Sequence, residues 1–389
     1  MSAGGHIVLP GRWRATALAL AALGVLTVGA GLVWSPARTW PNLLLADVYL
    51  LSMALSGALF ISMQYLSGAG WSVVLRRIAE AMMSGLPIAA ALMLSVFFGR
   101  RMLYPWAQPG GSTGTAISAP VAAYLSTPLV FLRMSIVLAL WVLLVRRLRT
   151  TSLQQDHDPA APCHQRLIAY SAIFVVVFAV TFTLGSVDWL MSLDPHWSST
   201  VFAVYVFAGL LVSGLAGLTL IAIALRALGP LSGVVKPAHL HDLGKLLLAF
   251  STFWAYIWLS QYLLIWYGNL PEEVTYYVRR TDGPWMRLFL LNLSVNWVVP
   301  FLVLLPRAAK RSPRVLAAVC VVLLVGHWLD LYLLIMPETW SGPMAGPLEA
   351  IIPLGYAGLF FSLIARALAQ APLVPLHDPY LAESLNHET

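Results

Sequence analysis

The sequence predicts an all-α integral membrane protein: about ten transmembrane helices, two like-oriented four-helix bundles plus two flanking helices. Three observations carry that reading. The chain has 389 residues, of which 59% are hydrophobic and 10% charged, whereas a soluble domain carries about 25% charged residues. Its mean hydropathy is +0.79, so its surface cannot be covered with polar groups and the bilayer must be its solvent. Apolar runs long enough to cross about 30 Å of hydrocarbon recur along the chain, at 14–34, 43–66, 78–98, 124–145, 167–187, 199–226, 243–267, 285–305, 314–336 and 348–368. The third observation is an echo. The fifth run ends "SVDWLMSLDPHW" and the ninth "WLDLYLLIMPETW", and in each an Asp stands seven residues before a Pro, Asp188 before Pro195 and Asp330 before Pro337. An offset of four helices preserves direction through the membrane, so runs two to five and six to nine read as a repeat.

Taken in order, the first run follows Arg12 and Arg14, as a signal peptide would. It is too long for one, and "VWSPARTW" offers no small-residue cleavage site, so it reads as a retained helix. The second run carries Asp47, the third Glu80 after Arg76 and Arg77, and the fourth Arg133 before its "LLVRR" end. The fifth closes at Asp188; Asp194-Pro195 then reads as the entry to the sixth. The seventh holds Lys245 as a snorkelling cation and Gln261 and Tyr262 further along. The eighth ends "LLPR", the ninth carries His327 and Asp330, and Glu349 enters the tenth. The organisation is then 1–42 (N-terminus and first helix), 43–198 and 199–342 (the two bundles), and 343–389 (last helix and tail).

The net charge of +7 is explained by the positive-inside rule rather than by nucleic acid. Most Lys and Arg, among them Arg76, Arg77, Arg146, Arg147, Lys245, Arg307 and Lys310, fall on the side of the two termini, which places both termini in the cytoplasm. The opposite loops are acidic and aromatic, and Trp189, Trp197, Trp266, Tyr267, Tyr276, Tyr277 and Trp340 read mainly as an aromatic belt. Two cysteines, Cys163 and Cys320, rule out an iron–sulfur site and a disulfide framework. Only His327 of nine histidines lies clearly inside a run, so a bis-His haem has no ligand pair.

A charge near mid-bilayer needs a partner, water or a task. Asp47, Arg133 and Asp188 fall at one expected depth and could form an Asp–Arg–Asp cluster, either as a structural ion pair or as a proton path. His327 and Asp330, three apart on one helix face, together with Glu349, suggest a proton path through a His–carboxylate pair. Glu80, with Arg76 four residues before it, reads as a surface pair or as a cytoplasmic proton entrance.

Two stretches, "GSVDWLMSLDPHWSSTVFAVYVFAGLLVSGLAG" (185–217) and "QYLLIWYGNLPEEVTYYVRR" (261–280), resemble signature segments of the ActF-type membrane subunits of alternative complex III. That complex is a bacterial quinol:electron-acceptor oxidoreductase, and its membrane subunits are related to the NrfD and polysulfide-reductase subunits built from two four-helix bundles. The resemblance implies a quinone-binding-type subunit without redox cofactors, with proton conduction proposed for it, in a bacterial cytoplasmic membrane. Its implied partners are an ActC-like quinol-binding subunit, an iron–sulfur subunit, multihaem c subunits and small membrane subunits, so haem c and iron–sulfur clusters would sit on partners. The matching positions are Asp188, Asp194, His196, Gln261, Tyr262, Trp266, Glu272 and Glu273. Carboxylates at the outer edge could then receive protons released by quinol oxidation. Two further readings stay open: a purely structural assembly subunit, and a stand-alone secondary transporter.

Overall fold

The computed structural model describes residues 10–108, 118–158 and 161–388 and is helical throughout, with no strand among the described residues. The expected cytoplasmic N-terminal segment 1–9 lies outside them. Among the described residues ten helices are long and apolar enough to cross a membrane: α1 (Gly11–Trp34), α2 (Pro36–Ser67), α3 (Gly70–Leu103), α4 (Thr127–His157), α5 (Cys163–Leu193), α6 (Phe202–Ala227), α7 (Pro237–Gly268), α8 (Trp285–Leu304), α9 (Pro313–Glu338) and α10 (Pro347–Leu368). All ten predicted runs are therefore helices.

The ends differ from the hydropathy reading wherever a polar residue finds a partner. α2 begins at Pro36 rather than 43 because its first turns can keep Arg38 and Asn42, both bound to Glu349 of α10. α4 runs on to His157 instead of stopping near 145, and its last turns bury Thr151, Ser152, Gln155 and Asp156. Cys163, which precedes the apolar run 167–187, is the first residue of α5. α3 is interrupted: a 3₁₀ turn (Gly70–Leu75) precedes the helix Arg76–Met83, which gives way at Ser84-Gly85 to a second helix, Leu86–Ser95. Pro87 in the first turn of that second helix has no N–H to extend the first one.

Helix packing forms two closed rings. α2 packs on α3 and α5, and α4 packs on the same two; α6 packs on α7 and α9, and α8 packs on the same two. Between the rings α2 meets α6, and the contacts α5 with α6 and α9 with α2 are exchanged when the rings are exchanged. This is the contact pattern of an internal two-fold repeat. α2 lies at the centre, with 94% of its most apolar stretch buried.

α1 is held by α10 through small residues. Its buried positions Ala17, Gly24 and Gly31 recur every seventh residue. A Cβ on Gly24 would stand 2.7 Å from Gly355 Cα, and one on Gly358 would stand 2.6 Å from Ala17 O, so the two backbones touch.

A short helix that hydropathy did not reveal, Pro271–Thr281, covers the end of the molecule where α5 meets α6 and α7 meets α8. Glu272 and Glu273 sit in its first turn and Arg279 and Arg280 in its last, matching the helix dipole. Arg280 is buried and caps α9 by donating to Leu333 O (2.8 Å) and Leu334 O (3.0 Å). At the opposite end the C-terminal tail folds back beneath both rings. Asp378 pairs with Arg76, Ser384 Oγ donates to Trp71 O at 2.7 Å, and His387 meets Asp242 at 2.6 Å.

Candidate functional site

All four helices of the second ring converge on one carboxylate. Asp330 of α9 is 2% exposed. Its Oδ1 accepts from the Tyr205 hydroxyl of α6 and from Asn292 Nδ2 of α8 at 2.7 Å. Its Oδ2 accepts from Trp254 Nε1 of α7 at 3.1 Å. Behind Asn292, Asn296 donates to Asn292 Oδ1 (2.7 Å) and to Gly326 O of α9 (3.0 Å). The two asparagines are four apart, and a π-helical turn, Ser294–Val298, accommodates the second one. Such turns are frequent at functional sites. No cation touches Asp330 among the described residues.

Asp188 of α5 is built differently. Arg133 of α4 reaches it with Nε (2.8 Å) and Nη2 (3.0 Å), a two-pronged ion pair, while its guanidinium lies over the Tyr124 ring and donates to Tyr124 O. The expected Arg133–Asp188 pair is therefore formed, but the Asp–Arg–Asp cluster is not. Asp47 faces α10 instead, where Tyr356 donates to its Oδ1 at 2.6 Å and Oδ2 has no partner among the described residues.

His327 and Asp330, expected to share a face and pass a proton as a pair, make no hydrogen bond to each other. The two side chains do share a face, and both abut Gly209 of α6, where a Cβ would stand 2.9 Å from the His327 ring and 3.4 Å from Asp330 Oδ2. Both ring nitrogens of His327 are without hydrogen-bond partners among the described residues, and the ring packs on Tyr49 with centroids 5.3 Å apart. Glu349 belongs to neither group. It is bound by Arg38 at 2.8 and 2.6 Å and by Asn42 at 3.0 Å, tying α10 to α2.

Next to these groups, α2, α6, α9 and α10 enclose an apolar cleft of about 560 Å³, reached on one side by Trp13 of α1. Tyr49, Trp328 and Tyr356 stand in its wall. Tyr49 donates to Leu324 O at 3.0 Å, and Trp328 Nε1 has no partner among the described residues. Through Tyr356, the cleft is one hydroxyl away from the buried Asp47.

Glu80, expected to pair with Arg76 at the surface, is 3% exposed and pairs with Arg77. It also accepts from Ser152 Oγ at 2.5 Å, and Arg77 reaches on to Asp156 of α4. Arg76 turns away to Asp378 and lies over the Tyr65 ring at 4.2 Å. Glu80 thus sits in an interlocked set of charges at the tail end.

At the opposite end, Asp194 was expected to cap α6. That helix starts only at Phe202, and Asp194 accepts from the His196 N–H at 3.1 Å within the loop and pairs with Arg279 at 3.2 Å. Trp197 stacks on Tyr276 with centroids 4.0 Å apart and donates to Glu273 O at 3.2 Å, so it docks the short helix. The aromatic-belt reading fits Trp266 and Tyr267, which are exposed, but not Trp189, Trp197, Tyr276 or Tyr277, which are buried. Burial pushes the Tyr276 and Tyr277 phenols up, keeping them neutral. Gln261 is buried beside Tyr277, Tyr262 is half-buried on Trp258, and His196 and Glu272 are exposed. The residues named by the resemblance in this loop region are therefore spread over one end rather than gathered in a pocket.

Tyr205, Trp254, Asn292 and Asn296 were not found from the sequence. The available signal was "NLSVNW", two amides four apart inside an apolar run, which carry no charge to mark them in a hydropathy reading. Comparison with known protein families and with curated proteins finds no match for this chain.

Proposed function

We propose that this chain is a membrane subunit of a quinol-oxidising electron-transfer complex, resembling the ActF-type subunits of alternative complex III. In this reading it binds no redox cofactor itself and contributes a proton-carrying group and an assembly surface. The observation that carries the reading is the carboxylate of Asp330, enclosed by four helices and held only by neutral donors. A buried carboxylate with a guanidinium partner is locked in its charged form, because protonation would strand the cation. A carboxylate held by hydroxyl, amide and indole donors can gain a proton without stranding a cation, and the same donors stabilise its ionised form. Asp188 is paired with Arg133, whereas Asp330 is held by neutral donors among the described residues.

The cleft supports the quinone-binding part of the reading. Its volume of about 560 Å³ lies within the range of small-molecule sites, its lining is apolar, and Tyr356 offers a hydroxyl backed by Asp47. The expected partners are an ActC-like subunit, an iron–sulfur subunit, multihaem c subunits and small membrane subunits, in a bacterial cytoplasmic membrane with the tail end inside. The transporter reading is less favoured, since transporters pair broken helices at matched positions. Here α3 is broken at Ser84-Gly85, but its counterpart α7 is one continuous helix.

Mild-detergent extraction followed by identification of the co-purifying chains tests the proposal. Recovery with haem c and iron–sulfur subunits supports it. Recovery of the chain alone, together with solute uptake after reconstitution, would sink it.

A further inference from the structure

At the tail end, a second cleft of about 580 Å³ opens between α7 and the turn joining α8 to α9. Its floor is Leu248, Ala249, Thr252 and Leu305, and its rim is His241, Lys245, Arg307 and Lys310. The floor lies on the membrane-spanning part of α7 and on Leu305, just past the end of α8, and the rim lies near the ends of those helices. Cations dominate the rim. Arg307 and Lys310 pair with no carboxylate among the described residues. Arg307 is exposed, while Lys310 is held in place by donating to Leu304 O (2.5 Å) and Leu305 O (2.9 Å) at the end of α8. Burial lowers the Lys310 ammonium from its ordinary value, as expected for a cation that no acid compensates.

Among the described residues the acid at this rim is Asp242, which is already engaged by Lys245 at 2.5 Å and by His387 at 2.6 Å and lies 4.0 Å from His241 Nδ1. His241 is buried, its Nδ1 makes no hydrogen bond among the described residues, and Lys245, Arg307 and Arg311 are near enough to act on it electrostatically. The approach of Lys310 to α7 depends on Gly244, where a Cβ would stand 2.9 Å from the Lys310 stem. The packing of α7 thus brings this cation to the cleft.

We infer that this cleft binds an anionic phospholipid, its phosphodiester between Arg307, Lys245 and His241 and its acyl chain on the Leu248–Leu305 floor. A basic rim over an apolar, membrane-level floor matches both halves of such a molecule, and basic pockets between helix ends favour anionic head groups. A soluble phosphate would use the rim and leave the floor bare.

Native mass spectrometry of the whole purified protein, delipidated and titrated with phosphatidylglycerol or phosphatidylcholine, tests this. The unaltered protein should retain phosphatidylglycerol in preference. Arg307→Gln should cut that preference about five-fold, while Arg307→Lys and the remote control Arg146→Gln should keep it. Leu305→Trp, which fills the floor without changing charge, should release the lipid. Equal retention of both lipids, or an unchanged preference in folded Arg307→Gln, overturns the assignment. So does displacement of the lipid by millimolar inorganic phosphate, which would mark a site for soluble anions.

Discussion

Asp188 and Asp330 stand at matching places in the two rings, each on the fourth helix and seven residues before a proline, yet they are held by opposite means. The third helix supplies the partner in both cases, a guanidinium from Arg133 for Asp188 and an amide from Asn292 for Asp330. One repeat thus carries a closed ion pair and the other a carboxylate with neutral donors. Under the proposed function, that difference marks Asp188 as a structural position and Asp330 as the proton-carrying one.

Asp330→Asn should leave the protein assembled, because Asn keeps the shape and one acceptor for Asn292 or Trp254. If the proposed function holds, proton-motive coupling of the reconstituted complex should fall, while its quinol oxidation in uncoupled membranes falls less. Asp330→Ala should behave differently. It strands the Tyr205, Asn292 and Trp254 donors, each costing about 1–3 kcal/mol, so thermal stability should drop before activity can be scored. Normal coupling in Asp330→Asn would remove the proton-carrier role.

Arg133→Gln removes the one cation bound to the buried Asp188 among the described residues. Breaking such a pair costs roughly 3–5 kcal/mol, with the low end expected because Arg133 is partly exposed. The double change Arg133→Met with Asp188→Leu should recover most of that loss, since two well-packed apolar groups replace the pair. A thermal-unfolding cycle over the four proteins measures this. If the double variant is no more stable than Arg133→Gln, the pair does more than hold α4 to α5.

The ten helices were legible because hydropathy reports what faces lipid, and lipid solvates most of this chain. Their ends were not. Arg38 and Asn42 enter α2 only because Glu349, more than three hundred residues away, binds them. The repeat was legible from Asp188 and Asp330, but their partners were legible only for Arg133, a lone charge in an apolar run; Asn292 carries no charge and gave no such signal. Trp197 and Tyr276 read as a membrane belt because hydropathy does not show that the amphipathic helix Pro271–Thr281 folds over them. Asp378, which binds Arg76, and Asp156, which binds Arg77 together with Glu80, lie beyond the bilayer runs, where nothing local marks a partner.

The contact between α1 and α10 should be broken by size alone. Gly355→Leu places a branched side chain where Gly24 Cα now lies, 2.6 Å from a Cβ at that position. Cysteines placed along the two helices should then lose their disulfide cross-linking, while the Arg133–Asp188 and Asp330 environments stay intact because α1 packs on neither ring's interior. Gly29→Leu, whose Cβ meets nothing within 4 Å, is the matched control and should cross-link normally. Equal cross-linking in both would mean that α1 is held from elsewhere.

The tail is the last element whose role can be tested by charge. Arg76 and Asp378 are 1% and 0% exposed at their side chains, so neither can be rescued by water. Asp378→Ala leaves Arg76 buried with only the face of Tyr65 as partner, at a cost of roughly 3–5 kcal/mol. The guanidinium must then move outward or the tail must lift, and either loosens the Ser384 bonds to Trp71 and Val74 and the Leu376 N–H bond to Asp156 (3.0 Å). Protease added at the tail end should cut the C-terminal segment in Asp378→Ala faster than in the unaltered protein, with a lower melting temperature. Glu383→Ala should change neither, because no ion pair of Glu383 is present among the described residues. If Asp378→Ala keeps both its melting temperature and its tail intact, the Ser384 and His387 contacts alone hold the tail and the buried pair contributes nothing net.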